Sequence, residues 1–248
     1  AHEPADFQDA IRQVYPQYAK RIEQLPPQNA GGKMVEQGTV NNYQFVSADG
    51  MWKISLTKSF IALSTTRYSR WEEFAKRLDF VLAAFIKTYQ PAYFVRVGLR
   101  YINAVNKKAL GLADTPWREL IASGYLGLMA DEDSREQAFM KCEQSATASM
   151  PGGAKANIKC GPGLLRKVDN RTRQMEEQRV FMLDLDVFFD VKTPLDHAVP
   201  ALNVVHGNAD SLFTGALEKT LLLLQRVRQE INYRHTDLTL LFRRLKQE

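Results

Sequence analysis

Apolar positions along the chain alternate between a period of two and a period near 3.6, and the switches mark its elements. Behind Asp6, the residues Phe7, Ile11, Tyr15, Tyr18 and Ile22 fall on one helical face. They predict a first helix, interrupted by Pro16 and ended by Leu25-Pro26-Pro27. Tyr43 to Ser47 reads as a strand. Asp49-Gly50 predicts a two-residue hairpin turn, since both residues tolerate positive φ. Trp52, Ile54 and Leu56 then alternate with Lys53, Ser55 and Thr57, the pattern of a half-buried strand, and Phe60 to Thr66 reads as the next one. Ser69-Arg70-Trp71-Glu72 has the form of a capping box. It opens a stripe of Trp71, Phe74, Ala75, Leu78, Leu82, Phe85, Ile86 and Tyr89, a long amphipathic helix that Pro91 ends. Tyr93 to Val105 is a long strand.

The rest of the chain repeats the order. Thr115-Pro116-Trp117 opens a short helix to about Ser123, and Asp131 to Glu136 is an acidic turn. Strands are expected at Phe139 to Ser149, Lys155 to Cys160 and Arg179 to Val191, with a polar loop from Gly161 to Gln178. Pro200 starts a second long helix with a stripe of Leu202, Val205, Leu212, Phe213, Ala216, Leu217, Leu221 and Leu224. Asp237 caps a final helix with Leu238, Leu241, Phe242 and Leu245 on one face. Strands followed by a long helix occur in residues 43–89 and again in 139–225. The expected fold class is therefore α+β. Antiparallel, hairpin-rich, curved sheets carry two long amphipathic helices, with a weak internal duplication of the strands-then-helix unit. The chain divides into an N-terminal half (1–105), a C-terminal half (106–225) and a helical tail (226–248).

Composition narrows the class. The 248 residues are 45% apolar and 25% charged, too apolar for wholesale disorder, and no apolar run is long enough to span a bilayer. Cys142 and Cys160 cannot staple a disulfide scaffold and read as buried thiols. A soluble, cytoplasmic protein is the expectation, with no membrane partner. The net charge of +5 is uneven. Residues 1–124 hold 16 Lys+Arg against 11 Asp+Glu, residues 125–225 hold 11 against 14, and residues 226–248 hold 6 against 3. The protein is polar between its halves more than it is basic.

Motifs that would fix an activity are missing. There is no phosphate-binding glycine loop, no His-Glu-x-x-His, no paired Cys-x-x-Cys and no Gly-x-Ser-x-Gly elbow. No catalytic residue and no cofactor is assigned on this basis. His197, beside Asp196, and His206, on the second long helix, read as surface residues. Three constellations remain. Asp184, Asp186 and Asp190 share one strand face with Phe188, a spacing that suits Mg²⁺ or a row of ion pairs. Arg96 and Arg100 flank Gly98 on one face of the strand over 93–105, with Asn103 on the opposite side. They can grip a phosphate or carboxylate, or pair internally with Asp184 and Asp186, which is the preferred reading because buried charges need partners. Arg166, Lys167, Arg171 and Arg173 in the polar loop are candidates for nucleic-acid contact, although aromatic interleaving is missing. Trp52, Trp71 and Trp117 sit on apolar faces and read as core.

One resemblance covers residues 40–224. Its carriers are Trp52 with the strand after it, Phe60 through Tyr68, Ser69 through Phe74, Arg96 through Asn103, and Leu202 through His206 with Leu212 through Leu217. The pattern resembles a sporadically distributed family of uncharacterised prokaryotic proteins of about this size. Members usually begin with a Pro-Leu-type hydrophobic strand, missing here, and residues 226–248 extend beyond the usual end. The family implies no activity. Its patchy distribution implies a defence-linked or toxin–antitoxin type of gene pair. The expected function is a non-enzymatic interaction protein that engages a protein partner or its own copy through the C-terminal helices. The tail residues Arg226, Arg228, Arg234, Arg243, Arg244 and Lys246 accompany that apolar stripe. A nucleic-acid-binding module and a Mg²⁺-dependent phosphate-chemistry enzyme are the alternatives.

Overall fold

The computed structural model describes residues 4–25, 27–36, 38–131, 136–139, 141–168, 175–223 and 235–243. Helix α1 (Ala5–Ile11) leads into strand β1 (Gln17–Gln24). A small hairpin of β2 (Gln28–Ala30) and β3 (Lys33–Val35) follows. Then come β4 (Thr39–Val46), β5 (Trp52–Leu56), β6 (Phe60–Thr65), α2 (Trp71–Tyr89) and β7 (Tyr93–Val105). The second half carries the short α3 (Ser123–Leu126), β8 (Gln144–Ser149), β9 (Lys155–Val168) and β10 (Met175–Phe189). It ends with α4 (Ala198–Gly215), α5 (Lys219–Leu223) and β11 (His235–Arg243).

Nine strands form one antiparallel sheet in the order β1-β4-β5-β6-β11-β7-β10-β9-β8. The fold is α+β, as the periodicities predict. Three strands, a long helix and a further strand occur twice: β4-β5-β6-α2-β7 and β8-β9-β10-α4-β11. The two sets interlock. β11 lies between β6 and β7, and β7 lies between β11 and β10, so each set lends its last strand to the other.

Strand alternation gives the sheet two unlike faces. One cross-strand row runs Phe45, Ile54, Leu63, Leu238, Leu99, Val187, Ala156. Its neighbour, one residue along, runs Lys53, Ser64, Asp237, Arg100, Asp186, Asn157, Thr147. Phe45, Ile54, Leu63, Leu99 and Val187 share a cluster with Phe74, Leu78, Val81, Leu82 and Phe85 of α2 and with Leu202, Val205 and Ala209 of α4. Both long helices therefore cover the apolar face. A second cluster packs Trp117, Leu120, Ile121, Leu126 and Met129 against Phe181, Leu183 and Leu185 and the end of α4. Trp52 and Trp117 are buried, as expected of core residues.

Four local expectations are corrected. The first helix stops at Ile11, and Gln17–Gln24, after Pro16, is a strand paired with β4. Tyr18 there rests on Phe45, with ring centroids 5.5 Å apart, and does not continue a helical stripe. The polar segment after Cys160 is not a loop over its whole length. The register of β9 and β10 continues from Cys160↔Leu183 out to Val168↔Met175, with an Arg166–Glu177 ion pair of 2.7 Å across it. The helix expected from Asp237 is the strand β11, because Leu238 and Leu240 register with Leu63 and Ile61 on one side and with Leu99 and Val97 on the other. A slot between two apolar strands overrides a helical pattern. Finally, α2 begins one residue later than the box implies, and Ser69 Oγ bonds the Glu73 carboxylate at 2.5 Å. Leu224, Arg226, Arg228, Arg234, Arg244 and Lys246, and the acidic turn apart from Asp131 and Glu136, lie outside the described residues. Among the described residues, no helix is long and apolar enough to cross a membrane.

Candidate functional site

The open face of the sheet carries a lattice of ion pairs. β10 runs antiparallel to β7 with Asp186 opposite Arg100 and Phe188 opposite Gly98, so Arg100 reaches Asp184 one step along the diagonal, while Arg96 lies across Gly98 to reach Asp186. Arg100 grips Asp184 with two bonds, Nε to Oδ1 at 2.7 Å and Nη2 to Oδ2 at 2.5 Å. Arg96 Nη2 donates to Asp186 Oδ1 at 2.6 Å, and Asn157 Nδ2 donates to the other oxygen of Asp186 at 3.4 Å. Lys155 holds Asp190 at 2.7 Å and keeps that carboxyl below its ordinary pKa. Gly98 does leave room over the strand, but the room is filled from within. A Cβ at Gly98 would lie 2.3 Å from Arg96 Nη1, and the guanidinium carbon sits 4.5 Å from the Phe188 ring centroid.

The three aspartates thus each face their own cation. Among the described residues, no group of three His, Cys, Asp or Glu side chains comes together to hold a metal. Of the basic residues expected near nucleic acid, Arg166 is paired with Glu177, Lys167 registers with Glu176, and Arg171 and Arg173 lie outside the described residues. Cys142 and Cys160 are free thiols, and burial, helped by the neighbouring Cys142, pushes Cys160 up to about 11. His197 is exposed on the turn before α4.

Asn103 lies on the other face, away from the arginines. It is 1% exposed and its Nδ2 donates to Leu183 O at 3.3 Å. It lines a small cleft of about 30 Å³ with Tyr68, Tyr101, His206, Ala209, Asp210 and Phe213. The polar groups here form a chain. Tyr68 Oη is 3.2 Å from Tyr101 Oη, which is 3.1 Å from His206 Nδ1. The imidazole stacks on Trp71, centroids 4.4 Å apart and planes within 10°. Burial lowers the His206 pKa from its ordinary value, against the raising pull of Asp210 and Glu72. So His206 is not the surface residue the sequence implies. The chain of groups joins the segment before α2 (Tyr68), β7 (Tyr101) and α4 (His206), with successive members 33 and 105 residues apart, and no local spacing announces it.

A larger cleft of about 310 Å³ opens beside β10, lined by Asn106, Lys107, Trp117, Glu136, Gln178 and Arg179 among others. Lys107 is held inside it by Glu136 and Thr115 O, both at 2.7 Å, and lies 4.5 Å from the Trp117 ring centroid.

The two edges of the sheet differ. β1 carries Lys20, Arg21 and Glu23 along its length. β8, Gln144-Ser145-Ala146-Thr147-Ala148-Ser149, has no charge, no proline and no large apolar side chain, and it is mostly exposed. Among the described residues it pairs with β9 on one side only. No family model, curated protein or solved structure matches the chain.

Proposed function

We propose that this chain is a non-enzymatic interaction protein whose β8 edge accepts an extended segment of a protein partner. The observation that carries this is the undefended edge. Sheet edges present a row of unpaired backbone N–H and C=O groups, and proteins usually blunt them with lysine, proline or a bulge. β8 has none of these, whereas β1 at the opposite edge has three charged residues. Backbone pairing supplies affinity in such strand addition, and small side chains let the partner strand approach. The internal neutralisation of Arg96, Arg100, Asp184 and Asp186 points the same way, because these groups are committed to the fold. The reading as one member of a gene pair rests on the family resemblance and fits a protein built to dock.

The test is affinity purification of the full chain and of the double variant Ser145→Lys/Thr147→Lys from the native host. Both positions are exposed, so the variant keeps the fold, as circular dichroism checks. The expected result is a stoichiometric partner with the parent chain and its loss with the variant. Recovery of the chain alone, or equal recovery of the partner by both proteins, overturns the proposal.

A further inference from the structure

The ion-pair ladder on the open face leaves one cation over. Along it, Arg96 is answered by Asp186, Arg100 by Asp184 and Lys155 by Asp190. Lys159 registers between Asp184 and Ser145, yet the Asp184 carboxylate is gripped by Arg100. Among the described residues, the exposed Lys159 ammonium makes no ion pair and no hydrogen bond. Only Ser145 stands between it and the edge, and that short side chain leaves the way outward open. Lys141 and Glu143, just before β8, lie 3.9 Å apart and cancel each other's charge. The helix-covered side of the same edge is apolar. Ala146 and Ala148 register with Ile158 and Ala156, which belong to the core that α4 covers. Exposed apolar side chains flank both ends. Gly127 sits against the Gln144 side chain, and the next residue, Leu128, is 74% exposed. Gly152, just past β8, sits against Val204 of α4, which is 37% exposed.

We propose that the partner segment received at β8 alternates acidic and apolar side chains. The inference rests on the β8 reading above and names the chemistry of its partner. Successive side chains of an added strand point to opposite faces of the sheet. Those on the helix side meet Ala146 and Ala148, with Leu128 and Val204 at the two ends, and are covered best if apolar. Those on the open side meet Ser145, Ser149 and, beyond Ser145, the ammonium of Lys159. A carboxylate opposite Ser145 lies two strand spacings from Lys159, about 9.6 Å between backbones. A glutamate and a lysine side chain together span that gap. A lysine one strand inside the edge draws such a residue in, whereas a lysine on the edge strand itself obstructs the approaching backbone. A partner strand that carries lysines in place of the acids brings like charge to Lys159 and is disfavoured.

The experiment measures binding of rhodamine-labelled heptapeptides to the full chain by fluorescence anisotropy at low ionic strength. The acidic probe is Thr-Val-Glu-Val-Glu-Val-Thr, amidated at its end, and the basic probe carries lysine at both glutamates. The acidic probe is expected to bind about five-fold more tightly, the scale of an exposed attraction set against an exposed repulsion. In Lys159→Gln, a change at an exposed position, that preference is expected to vanish. A third probe, the acidic peptide N-methylated along its backbone, is expected not to bind, because it cannot pair with an edge. Equal affinity for the acidic and basic probes, tighter binding of the basic one, or a preference that persists in Lys159→Gln overturns the acidic partner and leaves strand addition standing. Failure of both unmethylated probes to bind, or undiminished binding of the methylated one, overturns strand addition at β8 and this inference with it.

Discussion

Asp186 sits between Arg96 and Asn157, with its side chain one-quarter exposed, so removing it strands a cation that water reaches only in part. Asp186→Ala is expected to destabilise the protein by about 1–3 kcal/mol in urea unfolding, the range for leaving a half-buried charge unpaired. Asp186→Asn should cost less, since the amide oxygen still accepts from Arg96. His206 gives a prediction in pH. Its folded pKa is lowered, so below the ordinary imidazole value of about 6.5 the unfolded chain binds the proton more readily. Stability therefore falls as pH drops from 7 toward the folded pKa, and His206→Gln should flatten the slope in that window. Asp49, held down by the Ser47 hydroxyl, and Asp190, held down by Lys155, contribute stability that is lost only at more acidic pH. At this scale the sequence was informative where one strand face collects like residues. Arg96 and Arg100 are four apart, and Asp184 and Asp186 two apart, so the members of each pair share a face. The Tyr68–Tyr101–His206 chain had no such signal, because its members are joined only by the packing of α4 on β7 and α2.

Among the elements, α2 was the most legible, since its stripe of eight apolar residues survives any reasonable shift of register. Its end is less ideal. Gln90 adopts a left-handed conformation at φ 44° to return its N–H to Ile86 O. Glycine is the usual residue in this cap because a Cβ is strained there. Gln90→Gly is expected to raise stability by about 0.5–1 kcal/mol, read as a higher urea midpoint with an unchanged slope. The reverse case is β11. Its apolar positions fit a helix and a strand alike, and only the sheet decides between them. Leu238 and Leu240 are two apart, and the neighbours on either side are also apolar at those registers. The long arm of β9 and β10 was hidden for a related reason. Outside the core a strand needs only backbone pairing and an ion pair such as Arg166–Glu177, so its side chains need not alternate in polarity.

Across the whole molecule, the uneven charge finds its use where the halves meet. The arginines of β7 belong to the basic half and the aspartates of β10 to the acidic one, and their ladder joins the two. The interlocked strand order makes each half incomplete. A fragment of residues 1–105 carries β6 and β7 without the strand that separates them. It is expected to give the collapsed, poorly dispersed amide spectrum of a chain without fixed packing. A sharp, dispersed spectrum from that fragment would show that the halves are independent.

The central place of β11 also sets a schedule for synthesis. About 130 residues separate the end of β7 from the start of β11, which at ribosomal speeds is roughly 7–26 seconds. Through that interval β6 and β7 have both emerged, joined by α2, and run in the same direction. They are free to zip directly together as a parallel pair. The nascent chain therefore meets a competing arrangement that its own later strand has to pry apart. Refolding from denaturant faces no such delay, because β11 is present from the first moment. The two routes should differ in yield, with translation the more dependent on chaperones that keep β6 and β7 apart.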